Sequence, residues 1–218
     1  MGTYQGIELF DSEKSVLNTL EQHLQEPLPN IDEVAEFTFG FTAMDGNITG
    51  LGLYQKHMTS LPESICGLQS LMWLNLRMNE ISVLPVTIGK LKSLVTLDLW
   101  GNRLTSLPET IGDLRLLKKL ELSLNKVTSI PDTIGDLSSL EVLCTHDNQL
   151  SSLPDTIGNL HSLKKLDIST NYWIRTLPES IIGLESLVEL IIGGTNIRGR
   201  ISKTSRKLLK WIQSRGLV

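Results

Sequence analysis

Between Ile48 and Ile197 one alternation of apolar and polar positions is written almost seven times. In the copy LVTLDLWGNRLTSLPETIGDLRL, Leu97 and Leu99 alternate with Thr96, Asp98 and Trp100. Alternation with a period of two predicts a strand whose leucines face one side and whose other residues face the opposite side. Copies begin at Ile48, Leu71, Leu94, Leu117, Leu140, Leu163 and Leu187, spaced by 23 residues five times and then by 24, and the seventh stops after Ile197. One such strand cannot bury its leucines alone. Stacked copies can, each adding a parallel strand at roughly 4.8 Å, so that seven make a wall on the order of 30 Å long.

Two further columns punctuate the period. Asn79, Asn102, Asn125, Asn148 and Asn171 stand where each strand must leave the wall, with Lys56 and Thr195 in their place in the first and last copies. A buried amide there can satisfy backbone groups released from the ladder. Pro62, Pro85, Pro108, Pro131, Pro154 and Pro178 mark one later position, where a fixed φ suits an extended bend or the first turn of a short helix. These LxxLxLxxNxL units with a 23-residue period resemble the leucine-rich repeat family. The resemblance implies an α/β solenoid, a horseshoe with a parallel sheet on its concave side. The LPxxIGxLxxL turns are similar to the intracellular Ras-group class and to short archaeal and bacterial repeat proteins. That likeness implies a small GTPase or a cytoskeletal protein as partner.

Residues 1–47 read as an N-terminal cap. A helix is expected over residues 11–25, N-capped by Asp11 or Ser12, with Val16, Leu17, Leu20 and Leu24 on one face and Pro27 and Pro29 beyond its end. EFTFGFTAMDGNITGLGLY then reads as a β-hairpin, its first strand at residues 36–43. A three-residue loop, Met44-Asp45-Gly46, would set Phe37 and Phe39 across from Leu53 and Leu51 on the core side and pair the hairpin with the first repeat strand. Residues 48–197 form the seven repeats, and residues 198–218 a C-terminal cap helix with Leu208, Leu209 and Ile212 along one side. In the sixth copy, NYWIRTLP is one residue longer than its equivalents. Trp173 is expected to turn inward there, while Tyr172, Ile174 or Arg175 points out.

The outward strand positions are free of the repeat constraint, and candidate binding residues lie there. Tyr54, Trp73, Arg77, Met78 and Trp100 fall together in the first three copies, and Trp, Tyr and Arg are the types enriched at binding hot spots. Beside them run Asp98, Glu121 and Asp167, with Lys119 and Lys165 adjacent, and His146 further along the wall. Adjacent strands bring Asp98 and Glu121 within roughly 5 Å, a spacing also used by paired catalytic carboxylates. An open wall excludes no water, so this column is read as salt-bridged surface or partner contact, with no enzymatic role.

Composition narrows the setting. The chain of 218 residues is 40% hydrophobic and only 5% aromatic, as expected where leucine fills the core. Cys66 and Cys144 lie four copies apart, so no disulfide is expected, and MGTYQGIELF lacks the basic start and long apolar core of a secretory leader. A cytoplasmic setting is the expectation. No His, Cys or acidic spacing suggests a metal, no glycine loop suggests a phosphate, and no cofactor is expected. Net charge is −8 over residues 1–47, −3 over residues 48–197 and +7 over residues 198–218. The reading that follows is a monomeric, non-enzymatic module binding a protein partner on its concave face. The alternative is a peripheral membrane or nucleic-acid adaptor acting through the basic residues 203–215, with an anionic membrane favoured over nucleic acid.

Overall fold

The computed structural model describes residues 1–197, so the expected C-terminal cap helix lies outside the described residues. The chain opens with a short hairpin, β1 (Gly2–Tyr4) and β2 (Ile7–Leu9), followed by helix α1 (Asp11–Leu24) and a second hairpin, β3 (Phe39–Met44) and β4 (Asn47–Leu53). Six further strands complete the wall: β5 (Trp73–Asn75), β6 (Thr96–Asp98), β7 (Lys119–Glu121), β8 (Val142–Cys144), β9 (Lys165–Asp167) and β10 (Glu189–Ile191). They form one eight-stranded sheet in sequence order, β3 antiparallel to β4 and every later pair parallel.

Each repeat leaves the wall through its asparagine. Asn102 Nδ2 donates to Leu76 O at 2.9 Å and to Leu99 O at 3.0 Å, while its Oδ1 accepts the Ile81 N–H at 3.0 Å. One amide thus stitches two repeats. A 3-10 turn then begins directly after each proline of the column, for example Glu109–Asp113 after Pro108. The proline carbonyl accepts the N–H of the isoleucine three residues on, as in Ile111 N to Pro108 O at 2.9 Å. Those isoleucines and the ladder leucines make one continuous buried core from Leu9 to Ile197. Thr145, in a leucine position, is buried as well and donates its hydroxyl to Asp167 O at 3.1 Å.

The N-terminal cap differs from expectation in three places. Helix α1 starts after Phe10 with no side-chain cap, so neither Asp11 nor Ser12 fills that role. Phe10 N–H instead donates to Gly46 O at 2.9 Å, fastening the helix start to the hairpin turn. That turn has two residues, Asp45 and Gly46, both left-handed at φ 51° and 80°. A bulge between Thr42 and Ala43 then shifts the register, so Phe41 faces Leu51 and Phe39 faces Leu53. Phe41 therefore takes the core place, fully buried and edge-on to Tyr4, whereas Phe37 is 68% exposed. The sixth copy also inverts expectation. Ile174 is buried and Trp173 is 61% exposed, because Ile174 N–H donates to Asn171 O at 3.1 Å and the extra residue loops outward. A compact isoleucine also fits the column of Ile81, Leu104, Val127 and Leu150 better than an indole does.

At the bulge the Ile48 N–H donates to Glu13 Oε2 at 3.0 Å, joining α1 to the first repeat strand. Burial raises the Glu13 carboxyl above the ordinary glutamate range, partly offset by that hydrogen bond. The folded state therefore holds the proton more tightly than the unfolded state. This contribution is fully present below the unfolded pKa and is lost as pH rises through the folded one. Glu13→Gln should keep an acceptor for Ile48, flatten that pH dependence and leave stability at pH 7 within about 1 kcal/mol of wild type. Glu13→Ala should cost about 1 to 3 kcal/mol by orphaning the N–H. Urea unfolding at several pH values checks both.

Candidate functional site

The sheet register sets the outward columns. Gly50, Trp73, Thr96, Lys119, Val142, Lys165 and Glu189 lie in one row, and Gly52, Asn75, Asp98, Glu121, Cys144, Asp167 and Ile191 in the next. The wall is not open along its whole length. Residues 34–38 cross the concave face of the first repeat, where a Cβ at Gly50 would stand 2.7 Å from Val34 Cγ2 and one at Gly52 2.8 Å from Thr38 O. Glycine is needed at both places so that this strap can lie on the strand. Asn75 holds it from below, its Nδ2 donating to Ala35 O at 2.5 Å and to Glu36 O at 3.0 Å.

The strap divides the candidate residues into two groups. At the strand exits, Arg77 places its guanidinium 4.2 Å from the Trp100 ring centroid and 5.8 Å from that of Phe37, and Phe37 meets Tyr54 edge-on at 5.3 Å. Arg77 Nη1 reaches Asp98 Oδ2 at 3.5 Å. Four aromatic or guanidinium planes thus form one cluster, and Phe37, which the sequence reading had assigned to the core, is its most exposed member. Met78 sits at its edge, left-handed at φ 57° and 39% exposed. Trp73 stands apart from that stack, at the strand start, and is 39% exposed. It is shared by two adjoining cavities. One of about 230 Å³ is lined by Ala35, Glu36, Asn75, Asp98 and Lys119 among others, and one of about 510 Å³ by Asp32, Glu33, Thr42, Met44 and Met72, with Val34 between them.

Among the described residues the acidic column does not pair with Lys119 or Lys165 as its neighbours suggested, and its one ion pair is Asp98 with Arg77. Asp98 Oδ1 accepts the Trp100 N–H at 3.0 Å, Glu121 Oε1 the Ser123 N–H at 2.9 Å, and Asp167 Oδ1 the Ser169 N–H at 3.0 Å. Asn75 Oδ1 does the same for the Arg77 N–H at 2.9 Å. These side chains cap backbone donors freed at the strand end. Lys165 pairs with Glu189 in its own row at 3.0 Å. His146 Nδ1 lies 2.8 Å from Ser169 Oγ, and that hydroxyl donates to Asp167 Oδ1. The hydroxyl proton therefore points to a carboxylate and away from the imidazole, the wrong order for a base-activated nucleophile. Burial, then the charges of Glu121 and Asp167, push the Cys144 thiol up to about 12, so it carries little thiolate at neutral pH. Cys66 is buried, and burial raises its thiol too.

Residues 63–152 match the family described as leucine-rich repeat region. The chain carries a leucine-rich repeat region and folds as a leucine-rich repeat solenoid. Among solved structures similar to this repeat protein, the PEPR1–AtPEP1 crystal structure is 27% identical with a TM-score of 0.72, covering 85% of this chain and 28% of that one. The plant peptide hormone receptor RGFR1 in complex with RGF2 is 28% identical with a TM-score of 0.50, covering 67% and 30%. A leucine-rich repeat protein of Leptospira interrogans is 32% identical over 67% of this chain and 49% of its own, with a TM-score of 0.46. This chain thus spans under half the length of each. No curated protein matches it.

Proposed function

We propose that this repeat protein is a non-enzymatic interaction module that takes a protein or peptide partner on its concave face, centred on Trp73, Arg77 and Trp100. The observation that carries the reading is the Phe37–Arg77–Trp100 stack at the strand exits, with the half-exposed Trp73 in a separate groove on the same face: the fold requires none of these side chains, and they offer preorganised hot-spot surface. The peptide hormone receptor among the similar structures supports a peptide or protein ligand over a small molecule. The buried Cys144 thiol and the direction of the Ser169 hydroxyl favour a binding role over a catalytic one. The Ras-group likeness of the turns favours a small GTPase or cytoskeletal protein as the partner, in the cytoplasm, met by a monomer.

The test is a pull-down from lysate of the source cells with wild type and with Trp73→Ala, Trp100→Ala, once circular dichroism shows equal folding. Loss of two hot-spot indoles should weaken a concave-face partner by about 30-fold or more, and the band retained by wild type should disappear. Equal retention by both proteins would refute the assignment.

A further inference from the structure

We infer that the two cavities flanking the strap bind an extended, basic peptide segment, with an apolar side chain seated on Trp73 and Lys or Arg side chains over Asp32, Glu33 and Glu36. This rests on the concave-face reading above and names the chemistry of its ligand. Three observations lead to it. First, Asp32, Glu33 and Glu36 are exposed, and among the described residues none of them makes an ion pair or a side-chain hydrogen bond. They put three unpaired carboxylates around cavities that hold one cation, Lys119, while the fourth, Asp98, is buried and already faces Arg77.

Second, the floor between those carboxylates is apolar and accessible. Val34 and Trp73 line both cavities, and Met44 and Met72 extend the larger one. Met44 is 60% exposed. Alternating acids and apolar surface suit a strand whose side chains alternate between charged and apolar. Third, the wall already holds one stretch of backbone. The strap turns over β4 at Glu36 and Phe37, and Asn75 grips its backbone carbonyls, so this part of the wall receives main chain directly through a side-chain amide. A ligand running beside the strap over the second and third repeats would meet Trp73 and Thr96 on the wall and the carboxylates of Asp32, Glu33 and Glu36 on its flank.

The probe is a fluorescein-labelled, C-terminally amidated nonapeptide of alternating Lys and Ala with a central Leu, followed by anisotropy against the full chain. Wild type should bind it saturably, while the Glu-for-Lys counterpart should not bind. Affinity should fall at least tenfold between 50 and 300 mM salt. Asp32→Lys with Glu33→Lys should weaken binding at least tenfold, and Trp73→Ala, which leaves every charge in place, at least fivefold. Binding that survives Trp73→Ala unchanged would be diffuse charge attraction and would overturn the proposal. Absence of binding to wild type would overturn it too. If the lysate partner is nevertheless lost from the Trp73→Ala, Trp100→Ala variant, the concave-face reading stands and only the basic ligand is wrong. If that partner is also retained, both fail.

Discussion

Replacing Asn125 by alanine lowers the free energy of unfolding by about 2 to 3 kcal/mol. Asn125 Nδ2 donates to Leu99 O at 2.9 Å and to Leu122 O at 3.0 Å, and its Oδ1 accepts the Leu104 N–H at 2.9 Å. Alanine orphans the Leu104 N–H, at about 1 to 3 kcal/mol, and takes one of two amide donors from each of the two carbonyls, Leu99 O keeping Asn102 and Leu122 O keeping Asn148. Two of the three groups belong to the preceding repeat. The damage therefore falls on the junction between copies, which is what holds a linear array together. Asn125→Asp preserves shape and acceptor but sets a carboxylate against two carbonyls, so it should be no better than alanine. The exposed neighbour Lys126→Ala should stay within about 0.5 kcal/mol of wild type. Urea unfolding followed by circular dichroism measures all three, and a loss under 1 kcal/mol for Asn125→Ala would show that water or local rearrangement re-satisfies the groups.

What the sequence made legible is what the repeat writes several times over. The strand columns, the asparagine exits and the proline-led turns recur at a fixed spacing, so each copy corroborates the others, and the register joins Trp73 to Thr96 and Asn75 to Asp98 as the alignment of copies implies. What it hid occurs once. The bulge at Thr42 and Ala43 moved Phe41 inward and Phe37 outward, and alternation cannot reveal an inserted residue beside a run such as Ile48-Thr49. The strap over residues 34–38 has no period at all. Its only mark was Gly50 and Gly52, two glycines at outward positions of one strand, which signal that something lies on that face. Because Phe37 and the carboxylates of Asp32, Glu33 and Glu36 were missed, the sequence placed Tyr54, Trp73, Arg77, Met78 and Trp100 in one patch, where the structure has a stack at the strand exits and a separate groove around Trp73. The outward direction of Asp98, Glu121 and Asp167 was legible. Their capping of backbone donors was not, because it depends on how the chain turns after the strand.

Gly112→Ala is expected to destabilise the protein by about 3 kcal/mol although Gly112 has an ordinary negative φ and lies on the convex side, away from the strand wall. The reason is stacking. A Cβ at Gly112 would collide with Thr133 O of the next repeat, closer than real Cβ contacts occur, and the same holds for Gly89 against Thr110 O, Gly135 against Thr156 O and Gly158 against Ser180 O. The neighbour in each case is backbone and cannot rotate aside, so one methyl must spread two 3-10 turns that the strand ladder holds at a fixed spacing. The ends of the array show the same rule by exception. Where the interior copies have glycine, the first has Cys66 and the sixth has Ile182. Beside Cys66 the first and second turns part to leave a cavity of about 340 Å³ lined by Ser64, Gly67 and Thr87 among others. A side chain at this position thus opens the stack, which a terminal copy tolerates and an interior one does not. Gly67→Ala serves as the control, since a Cβ there meets nothing within 4 Å, and it should be neutral or stabilising by a few tenths of a kcal/mol. Thermal and urea unfolding of the two variants should separate them clearly; equal stability would mean that the convex turns slide apart freely and that the glycine column is not what sets the pitch of the solenoid.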